Sequence, residues 1–409
     1  MEFELTKKQR EVKDALHQLG KFVIRPMSLQ MDREHGVPEM FLKQFVAMTK
    51  SVRSDEDIGA AFGEGKREPP TMDKPSQTNR TALVGAEELA WGDAAVLLCL
   101  PGPGLGGPPV RATGTQEQKT RFFGMIDDYD KRGELAWGAY GLTEPAAGSD
   151  VSGIQSTCRK DGKSWVINGR KCYITNGARA LWTVIFATVD ASKGRAGHRA
   201  FVVEKGTPGF SVGKIEDKLG LRASETAELV LEDCRVPEEN LLGGEAAYES
   251  RSTGFQTAMK TFDATRPLVA SMALGIGRAA YEHARDAVKD RYMIGRPIAR
   301  YGALVEKLAR MHRRLESARM LTWRAAYMAD TGQPNAKEAS MSKAAAAQAA
   351  VKACVDAIDV CGAEGTIAKE DQLLEKWFRD IKVYDIFEGT GQIQRVVISK
   401  RILTDLKSF

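Results

Sequence analysis

The residues best suited to chemistry lie in a short run near the C-terminus. Glu388 precedes Gly389, which permits an unusual backbone turn, and Thr390 suits a helix N-cap. A carboxylate is a weak base in water, but desolvation in a closed pocket raises its pKa toward working pH. Glu388 could then remove a proton from a weakly acidic carbon. From the residues alone, an exposed loop acid is the commoner fate of a glutamate.

A second run, from Tyr140 to Asp150, combines hydroxyl groups with glycine. Thr143 and Ser149 offer hydroxyls, and Gly148 lets the backbone approach a ligand closely. Such a loop can hydrogen-bond the edge of a flat heterocycle and a phosphate. Without further support, an ordinary turn is the better interpretation.

Both runs resemble signatures of the acyl-CoA dehydrogenase family. The pattern G-L-T-E-P-x-x-G-S-D-x-x-G matches Gly141–Gly153 at every specified position. The run Y-I-T-N-G at 173–177 is similar to the aromatic-x-Thr-Asn-Gly step that follows in the family. The segment I-F-E-G-T-G-Q-I-Q-R at 386–395 resembles the catalytic loop of the family. The resemblance extends over roughly residues 84–403 and therefore covers most of the chain.

The resemblance implies an activity and its reactants. We expect FAD-dependent α,β-dehydrogenation of an acyl-CoA thioester to the trans-2-enoyl-CoA, as in fatty-acid β-oxidation, with electrons passed to an electron-transferring flavoprotein. Glu388 is then the base, and its backbone N–H helps a flavin ribityl hydroxyl to bind the thioester oxygen. Some branches carry the base on another helix, where this chain has Thr265, which is no base.

The resemblance also implies contacts for individual residues. Thr143 is expected on the flavin pyrimidine ring, Tyr173 against the isoalloxazine and Thr175 at N5. Arg291 is expected to reach the FAD of a neighbouring subunit, which implies a homo-oligomer, either a dimer or a tetramer. The full FAD set is Tyr140, Leu142, Thr143, Gly148, Ser149, Tyr173, Thr175, Arg291, Asp359, Gly362, Thr390 and Gln392. The acyl-CoA set is Ser149, Asp263, Arg266 and Gly389.

This chain departs from the family pattern at the adenine end of FAD. Ile294 replaces a usual Phe, and Gly302 and Asp359 stand where Gln is frequent. Ala363 replaces the second glycine of a Gly-Gly pair. The positions around the flavin ring and the base are unchanged. The departures therefore bear on adenine binding more than on the chemistry.

Composition excludes several other classes of protein. The net charge of +5 comes from interleaved charges of both signs, so a nucleic-acid binder is not expected. No apolar run approaches the roughly 20 residues of a membrane span, and the charged start does not resemble a secretory signal. The six cysteines are scattered, which favours a reduced, cytoplasmic protein. The five histidines give no support for a metal site.

The elements that must position these residues fall into three blocks. Residues 1–138 are predicted to be helical, with helical spacing at Val12, Leu16, Leu19 and Val23, a helix over Glu87–Leu100 and a long loop over Ser51–Thr81. Short β-branched runs between Asn-Gly and Asp-Gly turns predict an antiparallel sandwich or barrel over 139–245. Residues 246–409 return to helix and form a four-helix-bundle domain. The fold class is thus α+β.

Two alternatives differ from the dehydrogenase reading. One is a flavin-dependent oxidase or monooxygenase on the same fold, which rapid reoxidation of the reduced flavin by O₂ would favour. The other is a non-catalytic partner subunit, motivated by the departures at the adenine end. Glu388 and the intact 140–150 loop argue against the second alternative.

Overall fold

The computed structural model describes residues 4–53, 71–249, 253–289, 292–293, 296–297, 300–369 and 372–406. The chain runs from helices to a sheet and back to helices, so the predicted α+β class is confirmed. The N-terminal helices are α1 (Lys7–Leu19), α2 (Arg25–Glu34), α3 (Glu39–Arg53), α4 (Thr78–Gly92), α5 (Val96–Cys99), α6 (Gly107–Thr113) and α7 (Gln116–Lys131). Among the described residues, no helix is both long and apolar enough to cross a bilayer.

Helix α1 begins where the sequence places a capping box. The N–H of Gln9 donates to the Thr6 hydroxyl at 3.3 Å, and the N–H of Thr6 donates to the Gln9 side chain at 3.0 Å. The predicted helical spacing from Val12 to Leu19 is confirmed. A π-helical turn over Gly20–Ile24, which contains Val23, then joins α1 to α2.

The predicted loop over Ser51–Thr81 is wrong at both ends, and residues 54–70 lie outside the described residues. Helix α3 continues to Arg53, and α4 begins at Thr78. The buried Asp330 carboxylate of a distant helix accepts the N–H groups of Asn79 at 2.8 Å and Arg80 at 3.2 Å. This cap for α4 comes from residues 250 positions away, so no local sequence signal could predict it.

The helix predicted over Glu87–Leu100 is interrupted at Asp93. The Asp93 carboxylate is buried and accepts the N–H of Ala95 at 2.8 Å and a contact from Lys376 at 2.9 Å. Aspartate readily bonds nearby backbone in non-helical conformations, and here it ends α4. A separate short helix, α5, follows.

In the described part of the chain, the central sheet has seven strands: β1 (Gly138–Gly141), β2 (Thr157–Asp161), β3 (Ser164–Thr175), β4 (Trp182–Thr188), β5 (His198–Glu204), β6 (Phe210–Ile215) and β7 (Thr226–Pro237). Their order is β1-β4-β2-β3-β7-β6, and β5 also pairs with β4. Most neighbouring pairs are antiparallel, as predicted, but β1 runs parallel to β4, and β2 meets β4 in one parallel pair. The sheet is therefore mixed rather than purely antiparallel.

The C-terminal helices pack around an alanine-rich segment. They are α8 (Thr253–Ala287), α9 (Gly302–Asp330), α10 (Ala336–Cys361), α11 (Leu374–Ile381) and α12 (Gly391–Leu406), with a short hairpin of β8 (Tyr292–Met293) and β9 (Arg296–Pro297) before α9. The alanine tract at 344–350 lies in α10 and is mostly buried, which confirms the predicted close helix packing. The packing of α10 on α8 is tight at Gly277, where an added Cβ would lie 2.9 Å from the Ala350 Cβ.

One apolar core joins the first and third blocks. It includes Ile24 and Trp91 from the N-terminal helices and Ala273, Ala350 and Trp377 from the C-terminal helices. The sheet packs on two further cores. The boundaries at 138/139 and 245/246 stay a prediction, and the shared core means that the two helical blocks stabilise each other.

Gly275 is the point where α8 crosses α4. A Cβ added there would lie 2.3 Å from the Glu87 carbonyl oxygen and 2.9 Å from the Trp91 backbone nitrogen. Gly275→Ala is expected to lower the free energy of unfolding by about 1–3 kcal/mol, because overpacking against backbone outweighs the better helix propensity of alanine. Denaturant unfolding followed by circular dichroism measures this change.

The matched control is Gly124→Ala in α7, where an added Cβ meets nothing within 4 Å. Here the propensity gain stands alone, so stability should rise by roughly 0.5–1 kcal/mol. Equal effects at the two glycines would contradict the crossing-contact explanation for Gly275.

Candidate active site

Glu388 lies on a turn between two helical segments. The helix α11 continues into a 3₁₀ turn at Lys382–Asp385, and α12 starts at Gly391. Glu388 and Gly389 both have positive φ angles, 52° and 93°, and reverse the chain between them. The Thr390 hydroxyl accepts the N–H of Ile393 at 3.3 Å, so the predicted N-cap is confirmed. A glycine after Glu388 is required by this left-handed turn.

The Glu388 carboxylate faces α8 from this turn. The Thr265 hydroxyl donates to its Oε2 at 2.7 Å. Burial raises the pKa of Glu388 above its ordinary value, while the Thr265 bond and the positive charges of Arg266 and Lys343 oppose the rise. The effect of burial is the largest, so the net shift of the Glu388 pKa is upward, as expected for a desolvated carboxylate. Thr265 thus fixes the orientation of the Glu388 carboxylate.

Two buried side chains contact the backbone of the same turn. The Lys343 ammonium donates to the Gly389 carbonyl at 2.8 Å. The Gln394 amide donates to that carbonyl at 3.0 Å and to the Glu388 carbonyl at 3.3 Å. Sequence reasoning missed both residues. A lysine in the middle of an otherwise small, apolar helix segment is the signal that could have identified Lys343.

The 140–150 loop is fixed to strand β3 and turns tightly. The Thr143 carbonyl accepts the N–H of Cys172 at 3.0 Å, and Glu144 and Ala147 exchange backbone bonds at 3.3 and 3.1 Å. Leu142 is buried, Thr143 is partly buried, and Gly148 and Ser149 are exposed. An added Cβ at Gly148 would meet nothing within 4 Å, so the space next to this backbone is open to a ligand.

The pair Glu144 and Lys171 supports this loop from beneath. The fully buried Lys171 ammonium contacts a Glu144 oxygen at 2.5 Å and the Leu142 carbonyl at 3.3 Å. The other bonds of Glu144 come from the N–H groups of Gln155 at 2.6 Å and Ser156 at 3.0 Å. A buried charge pair with all these bonds fixes the loop in one conformation. The sequence reasoning did not identify this pair, because it depends on contact across the sheet.

Tyr140, at the start of the 140–150 loop, lies in the field of the Glu388 carboxylate. Its ring packs edge-on against Phe186 with 5.3 Å between centroids. Burial raises the pKa of Tyr140, and the negative charge of Glu388 raises it further. That charge effect requires the two residues to be near each other. The Glu388 turn, almost 250 positions further along the chain, therefore lies within electrostatic range of the end of β1.

Tyr173 and Thr175 lie at the irregular end of strand β3. The pairing of β3 with β7 shifts between Lys171 and Ile174, and Tyr173 within that shift has φ of 60°. Its ring is 66 % exposed, so the alternative of a core aromatic does not hold. A bulge of this kind redirects a side chain out of the strand pattern. Thr175 is partly buried two residues further on.

The remaining predicted residues form two groups: Arg266 and Gln392 near the Glu388 turn, and Asp359 and Gly362 at the far end of α10. Arg266 is only 5 % exposed and lies near Glu388. Gln392 is exposed at the start of α12. Asp359 is 51 % exposed and pairs with Lys307 at 2.7 Å, and Gly362 ends α10 with φ of 68°. Arg291 and the side chain of Asp263 lie outside the described residues.

One helix separates the two groups. Sixteen positions along α10 lie between Lys343 and Asp359, which corresponds to about 24 Å at 1.5 Å per residue. The Asp359 end is therefore not brought to the Glu388 turn within a single chain.

The arrangement fits FAD. The exposed Tyr173 ring offers a flat apolar surface, and the hydroxyls of Thr143, Thr175 and Ser149 offer donors and acceptors for a heterocycle edge and phosphate. The open space at Gly148 leaves the loop backbone accessible.

Comparison with known proteins agrees with this site. Family models described as "Acyl-CoA dehydrogenase, middle domain" and "Acyl-CoA dehydrogenase, C-terminal domain" match residues 139–234 and 252–403. The mitochondrial short-chain specific acyl-CoA dehydrogenase of Rattus norvegicus is 35 % identical over 99 % of this chain and 92 % of its own. The structure of butyryl-CoA dehydrogenase from Megasphaera elsdenii superposes with a TM-score of 0.84 at 32 % identity, covering 98 % of this chain and 100 % of that one.

A further structural neighbour is a chain from work described as "Electron transferring flavoprotein of Acidaminococcus fermentans: Towards a mechanism of flavin-based electron bifurcation". It has a TM-score of 0.81 and 34 % identity, with coverage of 98 % of this chain and 100 % of that chain. The fold and site define an oxidoreductase that uses FAD and acts on acyl-CoA. The chain belongs to the acyl-CoA dehydrogenase family.

Proposed function

We propose that this chain converts an acyl-CoA thioester to the trans-2-enoyl-CoA, with Glu388 as the base. One observation carries the proposal: the Glu388 carboxylate is desolvated and is held by the Thr265 hydroxyl at 2.7 Å. Its charge also acts on Tyr140, at the start of the 140–150 loop. A carboxylate with a raised pKa is suited to removing the proton next to a thioester carbonyl.

The residues divide the reaction between them. Glu388 takes the α-proton and becomes a carboxylic acid, and the electrons of that C–H bond form the Cα=Cβ bond. Bound FAD supplies the acceptor for the β-hydrogen, which leaves with its electron pair. Thr265 fixes the orientation of the carboxylate through its hydrogen bond. Ser149, Asp263, Arg266 and Gly389 are proposed to bind the thioester and CoA portions.

The test is anaerobic mixing of the FAD-loaded protein with a panel of acyl-CoA thioesters, butyryl-CoA first because of the relatives' names. We expect loss of flavin absorbance together with formation of enoyl-CoA. The chemical control is 2,2-dimethylpropanoyl-CoA, which has no hydrogen on its α carbon and should leave the flavin oxidised. Absence of bleaching by every thioester with α and β hydrogens, or equal bleaching by the control, would overturn the proposal.

The electron acceptor is proposed to be an electron-transferring flavoprotein. The similarity to the Acidaminococcus fermentans structure supports this choice over an oxidase. Reduced protein with bound product should react slowly with O₂ and quickly with the flavoprotein acceptor. Fast reaction with O₂ in the presence of product would instead identify the oxidase that the sequence left open.

We further propose a homo-oligomer, a dimer or tetramer, that acts in β-oxidation in the cytoplasm. The separation of about 24 Å between Lys343 and Asp359 along α10 supports a cofactor site completed by a second subunit, with Arg291, Asp359 and Gly362 serving the neighbour. No disulfide joins any of the six cysteines, which supports a reducing compartment.

A further inference from the structure

Lys343 is a fully buried lysine that the reaction as described does not use. Its side chain is 0 % exposed on the alanine-rich face of α10. Burial lowers the pKa of Lys343 to about 8, with Asp385 and Glu388 opposing the shift and Arg266 adding to it. Burial of an ammonium group costs free energy unless the charge is paired and hydrogen-bonded. The Lys343 ammonium donates a hydrogen bond to the carbonyl of Gly389, the residue directly after Glu388.

This bond fixes the direction of the turn backbone. Lys343 and Gln394 hold the carbonyl oxygens of Glu388 and Gly389 on one side of the turn. Across a trans peptide bond the N–H points opposite to the carbonyl, and no cis bond occurs in the described chain. The N–H groups of Gly389 and Thr390 therefore point away from Lys343 and Gln394. Orientation of the turn thus depends on donors from α10 and α12.

Charged and titratable side chains from several different elements act on Glu388 and Lys343. Arg266 on α8 and Lys343 on α10 are the positive groups, and both favour the anionic carboxylate. Asp385 precedes the turn and faces Lys343. Burial raises the pKa of Tyr140 on β1 and of Tyr384 before the turn, and the negative charge of Glu388 raises it further, so both phenols remain neutral. Among the described residues, Lys343 is therefore one of two cations that offset the desolvation of the Glu388 carboxylate.

We propose that Lys343 is a positioning residue for the dehydrogenation, which anchors the Gly389 carbonyl from α10 and keeps Glu388 oriented and ionised. The proposal rests on the proposed function, because it assigns Lys343 a role toward the same base. Lys343 does not contact the reacting carbons in this role. It acts through the turn that carries Glu388.

The test compares Lys343→Met with Lys352→Met in the FAD-loaded protein. Methionine keeps the length of the side chain without charge or donor, and Lys352 is a half-exposed lysine on the same helix, paired with Asp356 at 2.8 Å. Removal of a cation near a carboxylate raises the carboxylate pKa. The rise of flavin-reduction rate with pH should therefore move to higher pH in Lys343→Met and not in Lys352→Met. At neutral pH the rate should fall about 10- to 100-fold, as for a misplaced catalytic group.

Two further measurements separate positioning from general stability. The melting temperature of Lys343→Met should not fall, because a buried ammonium is replaced by an apolar group of similar volume. Amide hydrogen exchange at 388–391 should be faster in Lys343→Met than in Lys352→Met, with or without FAD. An unchanged pH profile in Lys343→Met, whatever its melting temperature, would overturn the proposal.

The same design keeps the two proposals distinct. If the wild type is not bleached by any thioester, the proposed function fails, and the hydrogen exchange alone decides whether Lys343 holds the turn. If the Met variant does not fold, Lys343→Gln, which retains a donor but no charge, is measured by the same criteria. Unaltered exchange and pH profile in that variant would count against the role of Lys343.

Discussion

Glu388→Gln is expected to lower the rate of flavin reduction by acyl-CoA about 10²- to 10⁴-fold, while FAD remains bound. The amide has the shape of the carboxylic acid and can still accept the Thr265 hydroxyl, so the turn at Gly389 should persist. An amide cannot accept the α-proton at working pH. The measurement is stopped-flow absorbance of the flavin after anaerobic mixing with butyryl-CoA, beside the FAD content of the purified variant.

The pH dependence of the flavin-reduction rate is a second test of Glu388→Gln. The pKa of Glu388 is raised in the folded protein, so the base becomes ionised, and the wild-type rate rises, as pH increases through that raised value. The same sign means that the stability contributed by this carboxyl is greatest at low pH and is lost as pH rises. The rising limb of the rate should be absent in Glu388→Gln.

The matched control is Glu11→Gln, an exposed glutamate on α1. It should retain both the rate and the pH limb of the wild type. Rapid bleaching of Glu388→Gln would remove Glu388 from the role of base. Loss of FAD from Glu388→Gln would show that the residue acts in cofactor binding instead.

The parts of the site that could be predicted from sequence are those with a local cause. Gly389 is needed by a left-handed turn, and Thr390 caps the helix that follows it. The alanine tract at 344–350 is also a local signal: its short side chains allow α10 to pack closely against neighbouring helices. The family resemblance added Glu388 and Tyr173, and the structure places the first in a desolvated turn and the second on a bulge.

The parts that escaped prediction have causes far away in the chain. The Thr265 bond to Glu388 spans 123 positions, and the Asp330 cap of α4 spans about 250. The parallel pairing of β1 with β4 depends on the route of the intervening chain rather than on either strand. The isolated lysine in a small, apolar helix segment indicates that Lys343 is buried, but its partner could not be predicted because every residue has a backbone carbonyl.

A buried charge cluster links all three blocks and leads directly into the Glu388 turn. The Lys376 ammonium on α11 contacts Asp93 at 2.9 Å and Asp380 at 2.6 Å, and all three side chains are almost fully buried. The N–H of Leu221, in the chain between β6 and β7, donates to Asp380 at 2.6 Å. Tyr384, four residues before Glu388, donates its hydroxyl to the Ala94 carbonyl at 3.0 Å.

Lys376→Met is expected to lower the free energy of unfolding at neutral pH by about 3–5 kcal/mol, because two buried carboxylates lose their counter-charge. Both carboxylates would then titrate at higher pH than in the wild type. Protonation at lower pH relieves part of the penalty, so the loss should be smaller at pH 5 than at pH 7. Denaturant unfolding at the two pH values measures the difference, with exposed Lys382→Met as the control that should change stability by less than about 0.5 kcal/mol.

A double variant separates the cost of unpaired charge from the value of the pair itself. Lys376→Met with Asp380→Asn removes one of the two carboxylates along with the ammonium and should recover part of the stability lost in Lys376→Met. If the double variant is no more stable than Lys376→Met, the charges are not the cause and packing around α11 is. If stability recovers but flavin reduction by the double variant is slower than by the wild type, the cluster also sets the position of the turn that follows it. Helix α11 and the Tyr384 bond are the rigid connection between Lys376 and Glu388.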